Sequence, residues 1–170
     1  MNFIESNQVI PITQEFVVFE FEKEFVEDRI RCIPMMVRYK LDITGIKLSL
    51  AQWSSFAPEE RYLLATLPCD TQQEINRYET CLYSLLQRHG LGEAERLHGK
   101  GILPFLGGEV FDRVNSKAIE LGKRIEPEQW KNLTMLQRFA LSKLIRPGHE
   151  SKNFIPALLE FGLFNQTVYP

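Results

Sequence analysis

Laid on itself at an offset of 77, the chain matches residues 37–67 to residues 114–144 without a gap. Eight of those 31 positions are identical, among them Gly45 with Gly122, Gln52-Trp53 with Gln129-Trp130, and Arg61 with Arg138. Average composition would give about two identities. Other pairs keep their character: Lys47 with Arg124, Leu48 with Ile125, Phe56 with Leu133, Tyr62 with Phe139. The spacing predicts one helical unit used twice.

Each unit reads the same way. A helix ends at a glycine, Gly45 or Gly122, which takes the left-handed conformation without a Cβ clash. A short helix then presents Trp53 or Trp130, and a third helix follows with Arg61 or Arg138 early in it. Aromatics at helical spacing are usually core, so both tryptophans read as buried anchors. The functional alternative is a ligand-stacking platform.

Local signals place the helices. Pro34 suits a first turn. Ser49 with Gln52, and Thr71 with Glu74, form capping boxes. Pro58 with Glu59 and Glu60 opens a helix that Pro68 closes. Ile75, Tyr78, Leu82, Leu85 and Leu86 follow the 3-and-4 spacing of one apolar face, and Gly90 ends that helix. Helical patterns resume over 110–121, 127–133, 135–145 and 154–161. Residues 16–25 alternate in part, with Val17, Phe19 and Phe21 on one side, which predicts a short extended arm or edge strand.

The fold class is therefore mainly α: one compact multi-helix domain over 1–170 with a short N-terminal extended segment. Its repeats span about 34–90 and 111–163. Residues 90–108, with six of the ten glycines, join them as a loop.

Composition narrows the functional classes. Hydrophobic residues at 44% and charged residues at 25% fit a soluble globular protein. A net charge of −2 gives no reason to expect nucleic acid. No apolar run approaches a membrane span, and the first residues do not form a secretory signal, so cytoplasmic residence is expected. Cys32, Cys69 and Cys81 show no CxxC spacing and read as free thiols in a reducing compartment.

No catalytic motif emerges. The Gly-Lys pair in His98–Gly101 lacks the spacing, the hydroxyl and the preceding strand of a phosphate loop. His89, His98 and His149 are isolated, so no metal site is expected. His89 reads as a cation at a helix end. No carboxylate pair is singled out for acid–base work. Neither an enzyme nor a resident cofactor is expected.

Charge is unevenly placed. Residues 1–30 carry a net −5, while Arg31, Arg38, Lys40 and Lys47 against Asp42 give residues 31–48 a net +3. That basic stretch is the candidate partner-binding face. Arg31 and Arg38 align with Gly108 and Asn115, so their charge belongs to the first unit alone. The alternative is an ordinary solvated surface.

Several motifs together resemble the conserved nitrate reductase-associated protein family. They are Arg31–Met35 (RCIPM), Val37–Asp42 (VRYKLD), Gly45–Leu48 (GIKL), and Trp53 with Phe56. Arg138–Leu144 and Lys152–Leu163 are similar to its C-terminal half. The resemblance implies a mainly cyanobacterial protein tied to the genes of nitrate reductase, a ferredoxin-dependent molybdenum and iron–sulfur enzyme. It implies an accessory role in that enzyme's assembly or activity, and it assigns no catalytic residue. The expected partner is the reductase polypeptide or its cofactor-delivery machinery. The alternative is a helical protein that binds a small molecule or the molybdenum cofactor.

Overall fold

The computed structural model describes residues 16–26, 29–97 and 108–164. Among these the chain is mainly helical. The helices are α1 Lys23–Val26, α2 Met35–Thr44, α3 Leu50–Ser55, α4 Pro58–Thr66, α5 Gln72–Arg88, α6 Gly108–Glu120, α7 Pro127–Asn132, α8 Met135–Leu144 and α9 Phe154–Glu160. None is long and apolar enough to cross a membrane.

Caps set most of these boundaries. Ser49 accepts from the Gln52 amide and Gln52 returns a bond to Ser49, and Thr71 with Glu74 does the same. Pro58 fills the first position of α4. Gly45 and Gly122 sit at φ 67° and 70°, where a side chain would be strained.

Several hydrogen bonds recur at the 77-residue offset. Trp53 and Trp130 carbonyls each accept the amide three residues on, from Phe56 and Leu133. Arg61 Nε donates to Trp53 O at 3.2 Å, and Arg138 Nε to Trp130 O at 3.1 Å. Their Nη2 atoms reach Ser54 O and Lys131 O, both at 2.8 Å. At the ends of α5 and α9 the correspondence continues in a different register. The Leu91 amide donates to Leu86 O and the Leu163 amide to Leu158 O, each at 3.0 Å. Gln52 and Gln129 then hold the Leu91 and Leu163 carbonyls at 3.5 and 3.2 Å.

Two apolar clusters result. One gathers Val37, Trp53, Leu64, Tyr78 and Leu82, and the other Val114, Trp130, Phe139, Leu141 and Leu158. Helix α2 serves both. Val37 and Leu41 face the first cluster, while Met35, Met36 and Tyr39 face the second and pack on α8. Tyr39 meets Phe139 edge-on at 5.4 Å.

The extended arm or edge strand expected over 16–25 is cut short. Residues 16–19 carry no regular structure, with Phe19 extended, and Glu20–Glu22 make a 3-10 turn that runs into α1. Glu22 Oε1 accepts the Phe19 amide at 3.2 Å, and this local bond competes with an extended path. A small sheet arises instead between β1 Ile46–Lys47 and β2 Glu95–Arg96, paired antiparallel. Part of the expected 90–108 loop is thus a strand, and the His98–Gly101 stretch lies outside the described residues.

Candidate functional site

Where the two halves meet, a cleft of about 400 Å³ opens between α2, the end of α4 and the start of α8. Tyr39, Lys40, Cys69, Asp70 and Met135 line it, and Phe16 and Val17 of the arm complete one wall.

Lys40 points inward. It is 6% exposed, and Nζ donates to Ala65 O and Leu67 O, each at 2.6 Å. Those carbonyls belong to the last turn of α4, where a cation complements the helix dipole. Nζ also lies 5.8 Å from the Tyr78 ring centroid. Burial pulls the Lys40 amine down to about 8, against the opposing pull of Cys69 and Asp70. Burial pushes the Cys69 thiol up to about 11. Burial, with Asp70 and Cys69 beside it, also raises Tyr39. A thiol shifted upward is a poor nucleophile at neutral pH, and an amine held by two carbonyls is not poised for attack.

The basic residues named from the sequence differ in exposure. Lys40 is buried, with its charge on the carbonyls at the end of α4. Arg31 is exposed. Arg38 is half-buried, with Nε donating to Ile33 O at 3.0 Å, and its charge reaches the Glu22 carboxylate. Lys47 is exposed and pairs with Glu95 at 2.9 Å across the small sheet. Trp53 is fully buried and Trp130 is 8% exposed, so neither offers a stacking face. His89 lies against a carboxylate: Nε2 is 2.7 Å from Glu60 Oε2, and Arg88 is 3.0 Å from the other oxygen. Burial raises the Glu60 carboxyl, but the Ala57 amide, His89 and Arg88 outweigh it and leave it lowered.

Among the described residues no group of three or more His, Cys, Asp or Glu is placed to hold a metal ion. The family model described as conserved nitrate reductase-associated protein matches residues 18–161. The chain belongs to that family. The family's description ties it to nitrate reductase, which fits an accessory role. No curated protein and no solved structure matches the chain. The matched span of this nitrate reductase-associated protein begins within the arm and runs to Phe161, so it takes in Glu22, both tryptophans and the cleft apart from Phe16 and Val17.

Two features of the site were not legible in the sequence. Glu22 accepts the Met35 amide, and Glu160 accepts the Glu20 and Phe21 amides, so both tie the arm to the body, yet each reads locally as one more surface acid. Lys40 recurs as Lys117, which hinted at a role in the fold. Lys117 instead reaches Glu120 on its own helix at 2.8 Å, so the two lysines do different work.

Proposed function

We propose that this chain is a non-enzymatic accessory protein of the cytoplasm. It supports the assembly or activity of a molybdenum-dependent assimilatory nitrate reductase by contacting the reductase polypeptide or its cofactor-delivery machinery. The family match over 18–161 carries this reading. The chemistry of the interior supports it. Lys40, Arg61 and Arg138 bind main-chain carbonyls, and Glu22 binds main-chain amides. Charges committed in this way stabilise a scaffold, and docking then falls to the surface.

The docking face in this reading lies at the start of α2 around Arg31, with Arg38 and Lys47 as neighbours in sequence. Exposed charges such as Arg31 and Lys47 act chiefly on association rate and its salt dependence. Asn115, the counterpart of Arg38, accepts the Ile125 amide at 2.9 Å, so the second half uses that position internally. The test is capture of the reductase from cells that express both proteins. Arg31→Glu should weaken capture, more at low salt than at high salt, in a chain that still folds by circular dichroism. Undiminished capture removes Arg31 from the face. No capture by the unaltered chain, at any stage of reductase maturation, removes the reading.

The cleft supports a second reading, a small molecule or the molybdenum cofactor bound between the halves. Its volume of about 400 Å³ is in the range of ligand sites. Asp70 on its wall opposes the phosphate of a pterin cofactor. Capture that requires cofactor-loaded reductase, with direct binding of the free cofactor, would favour this second reading.

A further inference from the structure

The cleft between the halves brings opposite charges together inside apolar walls. Lys40 and Asp70 both line it, close enough that Asp70 favours the charged form of Lys40. Lys40 is 6% exposed and gives two of its three N–H donors to Ala65 O and Leu67 O, which leaves one for a ligand. Asp70 gives its amide to Glu74 at 3.0 Å and keeps its carboxylate exposed. Glu74 itself lies in solvent, where screening weakens its reach.

The second half adds donors to the same space. Thr134, Met135 and Leu136, at the start of α8, line the cleft. The first amides of a helix have no partner within it and carry the positive end of its dipole. Thr134 Oγ1 accepts the Gln137 amide at 3.2 Å and retains its own hydrogen to donate. Around these polar groups the walls are adaptable: Phe16 and Tyr39 supply rings, and Met36 and Met135 supply thioethers, which pack well on aromatic surfaces. At the 77-residue offset Met36, Tyr39, Cys69 and Asp70 fall on Arg113, Ser116, Arg146 and Pro147, whereas the buried Val37 and Leu64 fall on an identical Val114 and Leu141. Packing that is common to both segments therefore does not require the residues of the cleft.

On the reading of the cleft as a ligand site, we propose that it takes one free aromatic amino acid as its zwitterion: the carboxylate between Lys40 and the start of α8, the ammonium on Asp70, and the ring among Met36, Tyr39 and Met135.

The balance of charge selects this class. Asp70 opposes an anion, and Lys40 opposes an organic cation. A zwitterion holds its two charges on neighbouring bonds and meets both residues at once. The volume of about 400 Å³ lies at the small end of ligand sites, which suits a molecule of this size.

Amide chemical shifts of the full chain, followed during titration with L-phenylalanine near neutral pH, test the proposal. Saturable shifts should appear around Tyr39, Asp70 and Thr134–Leu136. Phenethylamine lacks the carboxylate and 3-phenylpropanoate lacks the ammonium, so each should bind about tenfold more weakly. Asp70→Asn, at an exposed position, should weaken L-phenylalanine about tenfold without weakening 3-phenylpropanoate. Absence of saturable shifts, shifts remote from the cleft, equal binding of the three molecules, or an Asp70→Asn chain that binds L-phenylalanine like the parent would each overturn the proposal. L-phenylalanine that fails where the free molybdenum cofactor binds removes the amino acid and leaves the ligand site, whereas failure of both removes the site as well.

Discussion

Lys143 Nζ stands 2.6 Å from Asp42 Oδ2 and joins α8 to α2 between the two apolar clusters. Both side chains are mostly buried, at 15% and 26% exposure, so this pair is screened less than those on the surface. Nζ also lies 4.9 Å from the Phe139 ring centroid. A double-mutant cycle with Asp42→Ala and Lys143→Ala should give a coupling of about 1 to 2 kcal/mol. Additive single effects in denaturant melts would show that the halves are held by apolar packing alone.

Trp53 donates its indole N–H to Ile30 O at 2.9 Å from a fully buried position. Ile30 and Arg29 both take positive φ, at 50° and 57°, and Arg61 Nη1 holds the Arg29 carbonyl at 3.1 Å. The indole thus fills the core and also pins a strained turn. Trp53→Ala should cost about 3 to 5 kcal/mol in chemical denaturation. Trp53→Phe keeps most of the apolar area but leaves the Ile30 carbonyl without its donor, and should still cost about 1 to 3 kcal/mol.

Arg61 and Arg138 act as forks on the main chain rather than as charges. Lysine cannot span two carbonyls with the same planar geometry. Arg138→Lys should therefore cost about 1 to 3 kcal/mol. Arg61→Lys should cost more, because Arg61 serves a third carbonyl at Arg29. Equal melting curves for the parent and both lysine variants would refute the fork.

Lys40 gives stability a distinct alkaline signature. Its amine is lowered to about 8 from an ordinary 10.5, so above pH 8 the unfolded chain binds more protons than the folded one. Stability should rise with pH in that window. The neutral amine keeps two N–H donors for its two carbonyls, so deprotonation breaks neither bond. Cys69, raised to about 11 from 9.0, opposes the trend above pH 9. The clean range is pH 8 to 9, with a gain of about 1 kcal/mol there that Lys40→Met should abolish. A parent whose stability falls or stays level across that range would contradict the lowered amine.

Local chemistry decided what the sequence alone determined. The boundaries of α2 through α5 follow from Pro34, Gly45, Ser49, Pro58, Pro68, Thr71 and Gly90. Each such signal acts within about four residues of itself. The motifs from Arg31 to Phe56 foretold the family. Tertiary structure alone decided the use of each charge. Lys40, Arg31 and Lys47 read alike in the sequence. Lys40 turns inward because two carbonyls at the end of α4, some 25 residues away, come within 2.6 Å of it. Glu22 and Glu160 are separated by most of the chain and meet at one seam. Their effect on each other comes from burial and proximity, which exist only once the arm lies against α2 and α9.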